Sequence, residues 1–255
     1  MTFLLRCLFL LAAVTAQAGP KLIVGMELSY PPFEMRDKAG EPAGVSVDLA
    51  RALGEKLGQT IEIQNLPFAG LIPALKTGKI DLIISSMTAT PERAQSIDFS
   101  EPYVKTGLAL LVSTKSGITS LAEADKAGRA IAVVKGTTAH IFSAQKIKSA
   151  RVLVFDKPAA CVLEVAQGKS DAFIIDQLTA LENWQRNPDT TRALLAPIQE
   201  EQWAIGLRKD ARDLRAQIND FLAEYRASGG FDRLASKYLA IPKGEFQKLG
   251  VPFVF

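Results

Sequence analysis

Apolar and polar positions change period several times along the chain, and each change predicts an element. Residues 21–26 (Lys-Leu-Ile-Val-Gly-Met) are a short apolar run of the kind a buried strand needs. Over 47–57, Leu49, Leu53 and Leu57 fall on one helical face, and Gly58 supplies the stop. Residues 60–65 alternate like a strand, 71–77 read as a helix closed by Gly78, and 81–85 as a second buried strand. The pattern then restarts. Strands are predicted over 107–112, 130–134, 151–155 and 171–176, with a Ser120/Glu123 capping box opening a short helix and further helices near 138–146 and 158–167. Two last helices follow: 211–226, where Leu214, Ile218, Phe221, Leu222 and Tyr225 share a face, and 231–239 beyond Gly229 and Gly230. Strands alternating with helices at this spacing predict an α/β protein with largely parallel sheets covered on both faces.

One unit occurs twice. Gly78-Lys79-Ile80-Asp81 precedes the apolar run 82–84 and Ser86, and Gly168-Lys169-Ser170-Asp171 precedes the run 172–175 and Asp176. Each is a helix stop, a Lys-x-Asp step and a strand, which suggests two halves built alike. Ser86 and Asp176 then stand at equivalent carboxyl ends of their strands, where open α/β sheets bind ligands. Two such halves facing one another would enclose a cleft with Ser86 on one wall and Asp176 on the other.

Composition narrows the class. The 255 residues are 48% hydrophobic and 22% charged, an ordinary globular profile that excludes disorder, collagen-like repeats and coiled coil. A formal charge of +3 without a basic run argues against nucleic acid as a partner. Residues 1–19 read as a cleaved signal peptide. Arg6 is followed by the apolar stretch 7–14 and the small-x-small site Ala16-Gln17-Ala18, giving a mature start near Gly19 or Pro20 and a periplasmic protein. The apolar stretch is shorter than the roughly 20 residues of a membrane span. Cleavage removes Cys7 and leaves Cys161 alone, expected as a buried core thiol, so neither a disulfide framework nor a metal site is expected. The single histidine, His140, is expected at the surface and pairs with no nucleophile in the sequence pattern.

Several short motifs occur in a fixed order: Tyr30-Pro31-Pro32-Phe33, Gly44-x-x-Val47-Asp48-Leu49, Gly70-Leu71-Ile72-Pro73-Ala74-Leu75, Thr90-x-x-Arg93, Asp98-Phe99-Ser100-x-Pro102-Tyr103, Gly136-Thr137-Thr138 and Asp171-Ala172-Phe173-x-x-Asp176. With them the chain resembles the polar amino-acid-binding family of periplasmic solute-binding proteins that serve ABC importers, over about residues 21–239. The resemblance implies a type II periplasmic binding fold, two Rossmann-like α/β lobes joined by two hinge strands. Lobe 1 would be 20–106 plus 204–240 and lobe 2 would be 107–203, with hinge strands at 107–112 and 202–207 and a C-terminal extension over 241–255. It also implies a free amino acid and an inner-membrane ABC permease as partners, a monomer, and neither cofactor nor catalytic residue.

The residues support that chemistry independently. A free amino acid carries a carboxylate and an ammonium, and both must be satisfied once water is excluded. Arg93 offers a planar fork for the carboxylate, fixed by Pro91 and Glu92 in a helical turn after a Thr90 cap. It follows a Ser- and Thr-rich loop, from which Ser86 and Thr88 can aim hydroxyls at the same anion. Asp176 ends an apolar strand and is the natural partner for the ammonium, although an Asp there also suits an N-cap for a helix beginning at Gln177. By resemblance, Thr138 helps hold the carboxylate, Tyr30 and Phe68 sandwich the ligand side chain, and Glu27 meets a polar or cationic group. Basic-amino-acid binders usually carry an acid where this chain has Ser46. The expected ligand is therefore a polar amino acid, glutamine-like ahead of arginine-like, with aspartate and glutamate poor. Glutamine binders tend to carry a lysine where this chain has Val134, with Lys135 one place later. The alternative of another class is an enzyme resembling cyclohexadienyl dehydratases, which share the fold; it would need Glu27 as its acid.

Overall fold

The computed structural model describes residues 20–252, so the predicted signal peptide lies outside the described residues. Two five-stranded sheets carry the α/β architecture. In spatial order the first consists of Thr60–Asn65, Lys21–Met26, Leu82–Ile83, Gly206–Leu207 and Asp98–Phe99. The second consists of Thr191–Trp203, Val104–Ser113, Ala172–Asp176, Ala130–Val134 and Arg151–Phe155. Helices pack against both. The Val45–Leu57 helix buries Leu49 and Leu53, and the Arg212–Ala227 helix buries Ile218, Phe221 and Leu222, the faces that the periodicity predicts.

The sheets are mixed, not largely parallel. Lys21–Met26 runs parallel to both of its neighbours, and Ala130–Val134 to both of its own. Gly206–Leu207 and Val104–Ser113 run antiparallel to theirs. The physical reason is the route of the chain. It leaves the first sheet along Val104–Ser113 and returns along Thr191–Trp203, and these long strands pair with each other from Val104↔Trp203 to Leu108↔Gln199 before a register shift. The outgoing strand thus begins three residues before the predicted Gly107. At Gly107 a Cβ would lie 2.6 Å from Pro197 Cβ, so the two crossing strands approach closely only because that side chain is absent.

The repeated unit has one job in both halves. Asp81 Oδ2 accepts from Ile23 N–H at 3.0 Å, and Asp171 Oδ2 accepts from Ala130 N–H at 2.8 Å. Each aspartate also donates its own N–H to the carbonyl of that same residue. The side chain therefore brackets a residue of the adjacent parallel strand and sets the register of strands that end at the site.

Gly44 carries a stability prediction. It precedes the Val45–Leu57 helix at φ 119°, and a Cβ there would stand 2.3 Å from Phe33 O. Gly44→Ala should cost about 2–4 kcal/mol, because backbone strain and a clash with a main-chain oxygen act together. Urea denaturation of the two proteins measures it; a loss below about 0.5 kcal/mol would mean that the 32–34 turn yields freely.

Cys161 is fully buried in the core, as expected. His140 is half-buried, where a surface position was expected, because its Nδ1 accepts from Gly136 N–H at 3.3 Å and holds the ring over the turn. The predicted extension contains a further helix, Ala240–Lys248, which packs on Gly230–Tyr238 and on Gln177–Arg186 and buries Phe246.

Candidate functional site

Arg93 is placed by its backbone first. Thr90 Oγ1 accepts from Arg93 N–H at 3.2 Å and Pro91 opens the Pro91–Ala94 turn, as the sequence predicts. The side chain then turns inward and is 7% exposed. Nη1 donates to Thr88 O at 2.8 Å, Nη2 donates to Gly136 O at 3.1 Å, and the guanidinium carbon lies 5.5 Å from the centre of the Phe68 ring. Burial pulls its pKa down to about 10 against the opposing pull of Glu201 and Glu92, so it stays cationic at neutral pH. Each terminal nitrogen retains a second hydrogen, which leaves a fork able to take a carboxylate.

Asp176 ends the Ala172–Asp176 strand and caps the Gln177–Arg186 helix. Its Oδ1 accepts from Leu178 and Thr179 N–H at 3.0 Å each. The other oxygen, Oδ2, receives the Tyr30 hydroxyl. Burial raises the Asp176 pKa, with the Tyr30 and Thr179 hydrogen bonds opposing it. Burial, and then the neighbouring carboxylate, push the Tyr30 hydroxyl well above its ordinary value. The cap uses one oxygen and Tyr30 holds the other, so capping does not compete with a ligand for the same atom.

All eight residues singled out in the sequence border one small cavity of about 50 Å³: Glu27, Tyr30, Phe68, Ser86, Thr88, Arg93, Thr138 and Asp176. Strands of both sheets deliver them to it. Ser86 reaches it through a left-handed backbone, φ 49°, that few non-glycine residues adopt. This turn aims its Oγ at Glu34 Oε2, 3.2 Å away. Thr88 Oγ1 donates to Glu201 Oε2 at 3.0 Å, and Thr138 opens the helix that follows Gly136. Val134 also lines the cavity, whereas the exposed Lys135 lines an adjoining open groove with Arg36 and Lys157, and Glu27 and Phe68 border both.

Among the cavity residues that escape the sequence reading are two buried acids and an aromatic, Glu34, Glu201 and Trp203. Glu201 and Trp203 alternate inward along the returning strand, a period of two hidden within the polar run Gln199-Glu200-Glu201-Gln202. Glu34 directly follows the Tyr-Pro-Pro-Phe motif and is 1% exposed. Desolvation lifts its pKa to about 8, against the pull of the Ser46 and Ser86 hydroxyls. Among the described residues, the cavity has four carboxyl groups (Glu27, Glu34, Asp176 and Glu201) and one guanidinium.

The family model for bacterial extracellular solute-binding proteins, family 3, matches residues 22–241. The chain belongs to this family. The L-cystine-binding protein of Escherichia coli K12 is 28% identical over 217 residues, spanning 85% of this chain and 82% of that one. An ancestral arginine-binding protein solved with arginine superposes with a TM-score of 0.80 at 33% identity, covering 88% of this chain and 100% of that one. An ancestral amino acid-binding protein described as a precursor of cyclohexadienyl dehydratase also gives 0.80, at 32% identity, covering 86% of this chain and 95% of that one. The resemblance seen in the ordered motifs is therefore borne out, and this family 3 binding protein is one of amino acid transport. Among its described residues no helix is long and apolar enough to cross a membrane.

Proposed function

We propose that this solute-binding protein captures a free polar amino acid between two α/β lobes, one of residues 20–106 plus 204–240 and one of 107–203, and delivers it to an ABC-type permease of the inner membrane. One observation carries the reading: a forked cation, Arg93, from the helical turn between two strands of the first sheet, and a carboxylate, Asp176, at the end of a strand of the second, border the same small cavity. Arg93, Thr88 and Thr138 hold the ligand carboxylate. Asp176 holds its ammonium, and Ser86 belongs to the loop that faces the carboxylate. Tyr30 and Phe68 flank the side chain, and Glu27 meets its polar end.

The cavity is far below the roughly 300 Å³ at which ligand pockets begin. The walls therefore part to admit an amino acid and close over it. Arginine, cystine and amino acids in general are named for the relatives above, which supports the amino acid class without fixing the side chain. The protein acts as a binding protein, not an enzyme, because Arg93 and Asp176 are both kept for a zwitterion. It works as a monomer in the periplasm, exported through the 1–19 signal.

The test is a thermal-shift screen of the mature protein against the twenty amino acids and prephenate. A ligand that binds only the folded state raises the melting temperature, by an amount that grows with its concentration over Kd. Stabilisation by one or a few polar amino acids is expected. Stabilisation by prephenate alone, with turnover, would replace this reading with the dehydratase one.

A further inference from the structure

Glu34 is a buried group that a zwitterion does not use and, unlike Glu201, counts no electrostatic pull from Arg93 among the main influences on it. It sits in the cavity wall, directly after Phe33, and Ser86 spends a left-handed backbone conformation on donating to it. The titratable and hydroxyl groups that act on it come from several elements: Glu27 and Tyr30 from its own end of the first sheet, Ser46 from the Val45–Leu57 helix, Ser86 from the 84–88 loop, Tyr103 just before the outgoing strand, and Asp176 from the second sheet. None of them is a cation. The guanidinium of Arg93 makes its hydrogen bonds to Thr88 O and Gly136 O and not to Glu34. Val134 contributes only an aliphatic side chain to the wall.

A carboxylate in such a place is costly unless a cation arrives or a proton stays. Burial holds that proton in the empty site, with the carboxyl half-titrated only at about pH 8. An amino acid with a cationic side chain would bring the missing charge. A neutral one, such as glutamine, would find a protonated carboxyl that donates to its amide oxygen.

Resting on the amino acid reading above, we propose that Glu34 is a specificity-determining residue that is protonated in the empty cavity, releases its proton to solvent when a cationic amino acid binds, and keeps it when a neutral amino acid binds. The balance is simple: protonated site plus cationic ligand gives carboxylate–cation complex plus one proton in the buffer. The site therefore accepts two ligand classes through one residue and separates them by pH. Below about pH 8 the affinity for a cationic ligand should rise roughly tenfold per pH unit, while that for a neutral ligand stays flat.

Titration calorimetry of the mature protein with arginine, lysine and glutamine at pH 7, in two buffers of different ionisation enthalpy, counts the protons directly. Close to one proton released with arginine or lysine and none with glutamine is the expected result. The release should vanish in Glu34→Gln. Infrared difference spectra of the wild type give a second readout that needs no variant, because a protonated carboxyl band should disappear on adding arginine and persist with glutamine. Arginine and lysine binding without proton release, release that survives in Glu34→Gln, or a protein that takes glutamine and refuses both cations would each overturn the proposal. Failure of every amino acid to bind would instead strike at the amino acid reading itself.

Discussion

Arg93→Ala should abolish amino acid binding, lowering affinity by more than a thousandfold, about 4 kcal/mol or more. The size follows from what the substitution leaves behind. A ligand carboxylate in a desolvated cavity that already holds four carboxyl groups would lose the one cation there, and Thr88 O and Gly136 O would lose their donors. Arg93→Lys is the sharper version. It keeps the charge but cannot span Thr88 O and Gly136 O while presenting a fork to the ligand, so affinity should still fall at least a hundredfold. Calorimetry decides it: a lysine variant within about twofold of wild type would mean that the guanidinium serves the surface of the Pro91–Ala94 turn and not the ligand.

Asp176→Asn should separate the two tasks of that side chain. Asparagine caps helices as well as aspartate, so the hydrogen bonds to Leu178 and Thr179 N–H survive and folding stability should change by less than about 1 kcal/mol. The charge that meets an ammonium is gone, and affinity for any amino acid should drop a hundredfold or more, within the roughly 2–5 kcal/mol seen when one partner of a buried charged pair is removed. Urea melts and calorimetry on the same preparation give both numbers. Large destabilisation with modest loss of affinity would reverse the assignment and make Asp176 a cap first.

Much of this was legible because the informative signals are local. The Thr90–Arg93 cap, the strand over 130–134 and the helix over 138–146 depend on neighbours within one turn or on a continuous apolar run. The Gly-Lys-x-Asp repeat was visible as a short match, and its meaning lies in Asp81 and Asp171 each gripping one residue of the adjacent strand. What escaped is what the tertiary structure decides. The returning strand Thr191–Trp203 alternates burial over a polar stretch, so its inward Glu201 looks no different from the exposed Glu200. The Ala240–Lys248 helix contains Pro242 and Gly244, which read as breakers, and it is held by burying Phe246 against helices from distant parts of the chain. Glu34 is indistinguishable from a turn acid until Ser86 and Tyr103 are seen around it.

The position of Gly206–Leu207 between Leu82–Ile83 and Asp98–Phe99 bears on how the molecule is made. A polypeptide leaves the ribosome, or a secretion pore, amino end first. Every strand of the second sheet has emerged by residue 203, whereas the first sheet still lacks the piece that joins two of its members. In that interval Leu82–Ile83 presents a bare edge and Asp98–Phe99 has nothing to pair with, the condition in which nascent chains stick to one another. The segment synthesised first is thus the one completed last, and it is this stretch of the chain, not the later one, that stays unpaired for longest while the chain is being made.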